Sequence, residues 1–139
     1  MRGYVDSRVV LRIVLGEGEV LRAWNDIEEW ASSELLSVEV MRTLDRLKLE
    51  RHLDADSSLR AIASFEGMRA GMLNLSLVPA VLLAASRPMP VPVKSLDAIH
   101  IASAQLLRQT AGYADLVFAT HDGQQAAAAR AAGFDCIGV

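Results

Sequence analysis

A single cysteine, Cys136, stands among 139 residues, so no internal disulfide can form and a reducing compartment is compatible. Zinc-type ligand spacing is missing as well. The lone cysteine has no partner, and His52, His100 and His121 show no paired spacing. There is no basic excess: 14 Lys and Arg face 17 Asp and Glu, a formal charge of −3. This gives no support to a generally basic nucleic-acid binder, so any contact with nucleic acid must be local and mediated by metal. No apolar run approaches the roughly 20 residues that span a bilayer; the longest is Leu77 to Ala85. The start, Met-Arg-Gly-Tyr-Val-Asp, puts a carboxylate where a signal peptide needs its apolar stretch. A soluble cytoplasmic protein without membrane contact is the expectation. No linker, repeat or domain boundary is visible, and a single domain over residues 1–139 is expected.

What is present suits a packed core. Hydrophobic residues make up 52% and charged residues 22% of the chain, far from a disordered composition. Tyr4-Val5 reads as a buried first strand ending at Asp6. Ser7 is then a plausible cap for a helix carrying Val10, Ile13 and Val14. Gly16-Glu17-Gly18 breaks that helix, and a second is predicted over Glu19 to about Glu29. A strand around Ala31 to Leu35 precedes a long helix, Val38 to His52, whose Val40, Leu44 and Leu47 form a core stripe. Asp56 or Ser57 begins another helix, with Leu59, Ile62, Phe65 and Met68 or Met72 on one side, ending at Gly71 to Asn74. Leu75 to Val78 is a third strand, with Pro79 at its end or opening a short helix. Arg87-Pro-Met-Pro-Val-Pro is an irregular loop. Ser95 is placed as the cap of a helix to Gln109. Leu116 to Ala119 is the fourth strand and Asp122 to Ala132 the last helix, stopped by Gly133. Cys136 to Val139 makes a fifth strand. Short strands separated by helices imply an α/β fold with a mainly parallel five-stranded sheet covered on both faces.

In such a sheet ligands bind at the carboxyl ends of strands, and four acids fall there. Asp6 ends strand one. Glu39 is expected in the first turn of the helix after strand two, Asp97 in the first turn after Ser95, and Asp122 directly after strand four. Helix starts favour ionised carboxylates. Two carboxylates about 4 Å apart repel by roughly 4 kcal/mol at an effective dielectric of 20. A shared cation removes that cost, and oxygen ligands suit Mg²⁺ or Mn²⁺. The four acids are therefore expected to form one metal-binding cluster. Read singly, each has a structural explanation: a helix-terminal charge for Asp97, a pair with Arg42 for Glu39.

Four segments carry a resemblance: Tyr4-Val-Asp-Ser, Ser37-Val-Glu-Val-Met-Arg, Ser95-Leu-Asp-Ala-Ile-His-Ile-Ala-Ser-Ala, and Phe118-Ala-Thr-His-Asp with Ala126 to Gly133. In order and spacing the chain resembles the PIN-domain ribonuclease toxins of type II toxin–antitoxin modules, the VapC-like group. The resemblance implies a PIN domain of three α/β/α layers and an endoribonuclease that uses Mg²⁺ or Mn²⁺. Asp6, Glu39, Asp97 and Asp122 take the positions of the family's acidic quartet, as catalytic and metal-binding residues. It also implies a cognate antitoxin protein and a homodimer. Ser7 and Thr120 are candidates to orient Asp6 and Asp122 by hydrogen bonds.

Arg8, Arg12, Arg42, Arg46 and Lys94 lie near these motifs and read either as a phosphate-attracting rim or as a solvated face. His100 and His121 read as packing or surface, since a metal-activated water needs no histidine base. Trp24, Trp30, Leu21 and Ile27, with Phe65, Met68 and Met72, offer two amphipathic faces, core by default or a seat for an antitoxin helix. Two alternatives remain: another Mg-dependent phosphoryl-transfer enzyme, and a catalytically silent PIN fold serving as a binding module. Against the first, Asp6 is followed by Ser7-Arg8 rather than a second Asp two residues on, and Gly16-x-Gly18 lacks the rest of a nucleotide loop. Against the second, all four acids are present.

Overall fold

The computed structural model describes residues 1–18 and 21–139. Its strands are β1 (Arg2–Val5), β2 (Glu29–Ser33), β3 (Leu73–Leu75), β4 (Val117–Ala119) and β5 (Cys136–Ile137). Every pairing is parallel and the order is β3-β2-β1-β4-β5. Around them run α1 (Ser7–Leu15), α2 (Leu35–Leu49), α3 (Ala55–Ala70), α4 (Pro79–Ala85), α5 (Ser95–Arg108) and α6 (Gly123–Ala131).

The strands alternate between two cores, as a sheet covered on both faces must. Val5, Trp30, Val117 and Ala119 point into one core, shared with Val9, Val40 and Phe65 of α1, α2 and α3. Tyr4, Ala31 and Phe118 point into the other, shared with Ile101, Ala104 and Ala129 of α5 and α6. The result is the expected three-layer α/β/α arrangement. Gly3 serves this packing by its lack of a side chain, because a Cβ there would lie 2.5 Å from the Trp30 ring across the β1–β2 pair.

Several local expectations are corrected. A 3₁₀ helix at Arg22–Asp26 and β2 from Glu29 replace most of the second predicted helix. The first two residues of that predicted helix, Glu19 and Val20, lie outside the described residues. Trp30 is thus a buried strand residue, stacked on Trp24 with ring centroids 4.3 Å apart. Leu21, Ile27 and Phe65 are buried, and Met68 and Met72 pack against the same core. That default reading of the two faces holds, although Leu59 is exposed. The third strand begins at Leu73 rather than Leu75, on the edge of the sheet, where backbone pairing to β2 decides its place.

Helix starts also differ from expectation. Asp6, not Ser7, caps α1, with its Oδ1 accepting from the Val9 amide at 3.2 Å. Asp54 caps α3 through the Ser57 amide at 2.7 Å. Ser95 is the first residue of α5 rather than its cap, since Lys94 holds the cap position without a side-chain bond. Because α2 starts at Leu35, Glu39 lies in its second turn, beyond the first-turn dipole invoked for it.

From β1 the chain winds outward through β2 to β3, then returns to place β4 on the other side of β1. The carboxyl ends of β1 and β4 therefore flank a topological switch point, where open α/β sheets hold their ligands.

Candidate active site

Asp6 follows β1 at this switch point, and its amide still donates to the Ala119 carbonyl of β4 at 3.2 Å. Asp122 follows β4 and caps α6, accepting the Gln125 amide on Oδ1 at 2.7 Å. Asp97 sits in the first turn of α5. These three carboxylates, from three separate elements, converge on one side chain, Arg8. Its two terminal nitrogens divide the work: one lies 3.3 Å from Asp97 Oδ1 and 3.5 Å from Asp6 Oδ2, the other 3.4 Å from Asp122 Oδ2. Arg8, read from the sequence as part of either a phosphate-attracting rim or a solvated face, lies among the acids. Glu39 is held differently. Its Oε2 accepts from the Ser7 hydroxyl at 3.2 Å, and its Oε1 is bonded to His100 Nε2. The alternative reading of Glu39, a pair with Arg42, is not seen, because Arg42 turns to Asp45 at 2.9 Å. The four acids thus do not form one undivided cluster: three surround a guanidinium and the fourth meets an imidazole. Among the described residues, no group of three or more His, Cys, Asp or Glu side chains is arranged to hold a metal ion as the chain stands.

Burial sets the charges. Asp6 is 1% exposed, and burial pushes its carboxyl pKa up; the Thr120 hydroxyl and Val9 amide pull it back, with Arg8 contributing. Asp122 is shifted down, chiefly by the Gln125 amide, with Arg8 and Lys94 assisting. Partial burial works against the Arg8 charge, but Asp97, Asp122 and Asp6 together hold its pKa above the usual value.

Thr120, fully buried, ties two of the acids together. Its hydroxyl donates to Asp6 Oδ2 at 2.8 Å and accepts from the Asp122 amide at 3.0 Å. The buried Gln125 carboxamide lies 2.7 Å from the same hydroxyl. The structure points Gln125 Oε1 at this hydroxyl, but a hydroxyl has one proton and the carboxylate is its stronger acceptor, so turning the amide to face Thr120 with its NH₂ group satisfies both. The opposite orientation leaves that nitrogen buried without a partner.

Tyr4 and His100 were not singled out as site residues. Burial raises the Tyr4 phenol pKa strongly, so it stays protonated, and its hydroxyl is hydrogen-bonded to His100 Nδ1 at 2.8 Å. The other ring nitrogen, Nε2, meets Glu39 Oε1, so the imidazole bridges the phenol and the carboxylate. The signal for His100 was its place one helical turn after Asp97, on the same face of α5.

A hollow of about 550 Å³, reached through His121 next to Asp122 in sequence, is lined by Arg12, Arg22 and His121, with Leu21, Cys136 and Ile137 as apolar wall. Arg12 lies one helical turn beyond Arg8 on α1. Arg46 belongs elsewhere, paired with Glu50 at 3.0 Å on the exposed side of α2.

The sequence matches the PIN domain family over residues 3–131, and the chain belongs to that family. Comparison with curated proteins gave no match. No helix among the described residues is long and apolar enough to cross a membrane.

Proposed function

We propose that this PIN domain is a divalent-metal-dependent endoribonuclease, acting as the toxin of a type II toxin–antitoxin pair. The observation that carries the catalytic reading is the convergence of Asp6, Asp97 and Asp122 at the carboxyl ends of β1 and β4. Their chemistry fits a hard cation. All the donors are carboxylate oxygens, no sulfur takes part, and both nitrogens of His100 are already engaged. Asp6, Asp97 and Asp122 would hold Mg²⁺ or Mn²⁺, with Glu39 completing the set. When bound, such an ion acidifies a water and offsets charge on the phosphoryl oxygens.

The protein's own groups prepare for that chemistry. Thr120 fixes one oxygen of Asp6 and, through the Asp122 amide, the start of α6. His100 and Ser7 hold the two oxygens of Glu39. The hollow at His121 supports a polyanionic substrate: Arg12 and His121 suit phosphates, and its apolar wall suits a base. An RNA strand laid along it brings a phosphodiester past the acids with only local positive charge, which an overall charge of −3 requires. The toxin role, a cognate antitoxin and a homodimer rest on the family resemblance of the four sequence segments.

The test is incubation of the purified protein with total RNA in Mg²⁺, Mn²⁺ or EDTA, alongside Asp6→Asn. Cleavage is expected in either metal and its loss in EDTA or the variant; persistence in either control refutes the reading. Growth arrest on expression, relieved by the product of a neighbouring gene, separates a toxin from another nuclease.

A further inference from the structure

Arg8 occupies the place where three carboxylates meet, and it does so with both arms of its guanidinium. Its backbone is fixed in the first turn of α1, two residues after Asp6. Its side chain is 39% exposed, whereas Asp6 is 1% exposed and Asp97 10%. The acids are thus locked in the protein while the cation among them can swing to solvent without disturbing a core. One positive charge also offsets only part of three negative ones. A doubly charged ion has reason to enter, but it enters against an occupant.

We propose that Arg8 is a built-in counter-ion: in the metal-free protein its guanidinium gathers Asp6, Asp97 and Asp122, and a divalent cation binds by displacing it. Arg8 therefore lowers the affinity of the site for metal. Once displaced it lies at the mouth of the site, where a substrate phosphate is the next anion it meets. This inference rests on the metal-dependent reading of the site. It makes Arg8 act with opposite signs on two measurable quantities, metal affinity and substrate binding. A residue that merely supports the fold would weaken both.

The experiment is titration calorimetry with Mn²⁺ on the full chain, comparing wild type with Arg8→Gln, Arg8→Lys and Arg46→Gln. Arg8→Gln is expected to bind Mn²⁺ about tenfold more tightly, the order of one partly exposed charge network. Arg8→Lys, which keeps a charge but cannot span three carboxylates, falls between it and wild type. Arg46→Gln removes a charge from the Glu50 pair on α2 and leaves Mn²⁺ affinity unchanged, which excludes a general charge effect. Metal-free Arg8→Gln melts below wild type, and saturating Mn²⁺ closes the gap. Single-stranded RNA binds the Mn²⁺-loaded Arg8→Gln protein more weakly than the loaded wild type. If wild type binds Mn²⁺ and both Arg8 variants bind it equally or less tightly, the counter-ion role is refuted while the metal site stands. If none of the four proteins binds Mn²⁺, the metal site and the counter-ion role fall together. Should Arg8→Gln not fold without metal, Arg8→Lys decides, and wild-type affinity there is the refuting result.

Discussion

Replacing Thr120 by valine keeps the shape of the side chain and removes one oxygen, so the change tests how much of the site rests on a single hydroxyl. That hydroxyl is the donor nearest to a buried carboxylate, 2.8 Å from Asp6 Oδ2, and it accepts the Asp122 amide at 3.0 Å. A bond to a charged group contributes about 1.5–3 kcal/mol and a neutral one about 0.5–1.5. The extra methyl returns roughly 0.8 kcal/mol of apolar burial. The expected net loss is about 2–3 kcal/mol, against about 1 kcal/mol for Thr120→Ser, which loses only a buried methyl group. Urea unfolding of both variants in EDTA measures the difference.

The pH dependence gives a second handle on the same change. Burial raises the Asp6 pKa in the folded state above its ordinary 3.8, so the native state binds the extra proton. Stability therefore falls as pH rises from 3.8 toward the folded value, and it is flat beyond. Losing the Thr120 donor raises that folded value further and extends the fall to higher pH. The deficit of Thr120→Val is then larger on the alkaline side of the folded value than at pH 3.8 and below, where the carboxyl is protonated in both states. Equal stability of the valine and serine variants at pH 8, or a deficit that grows on acidification, refutes the account.

Two further changes test the supports around the site. Tyr4→Phe leaves His100 Nδ1 buried without its hydrogen-bond partner, which costs about 1–3 kcal/mol in thermal unfolding. With the imidazole no longer held at Nδ1, Glu39 is less well positioned and RNA cleavage falls with the metal titration little changed; full cleavage activity in Tyr4→Phe denies the relay a role in positioning. Gly3→Ala drives a methyl into the Trp30 ring and lowers stability by about 1–3 kcal/mol as an overpacked core. An unchanged melting temperature there means that β1 and β2 do not meet as described.

The strands and helices whose residues alternate or repeat cleanly were legible from the chain. Tyr4-Val5 splits between two cores as parity demands. Val40 and Leu44 are buried on α2, and Gly133 takes the positive φ of a helix stop at 85°. What misled was chemistry that depends on partners distant in sequence. The stretch before β2 carries helix-like apolar spacing, but Trp24 and Trp30 stack, and Trp30 covers Gly3 in the neighbouring strand. Three of the acids were correctly expected at strand ends or helix starts, because Asp6, Asp97 and Asp122 each follow a local signal. Arg8 was not legible as their partner. An arginine in the first turn of a helix looks like surface, and only the strand order brings positions 97 and 122 to it. The same holds for His100, whose partners Tyr4 and Glu39 are 96 and 61 residues away.

The strand order also has a temporal side. β1 is synthesised well before one of its two neighbours, β4, which is not made until residues 117–119. A chain emerging from the ribosome can pair β1 with β2 and β2 with β3, but the groove beside Asp6 stays without its second wall. Asp122 and the hydroxyl that steadies Asp6 come later still. Any fragment ending before β4 therefore carries Asp6, Glu39 and Asp97 without the assembly that makes them a site. For the reaction proposed here, chains that stop short of β4 are disarmed by connectivity alone, and the site is complete only once β4, Thr120 and Asp122 have been made.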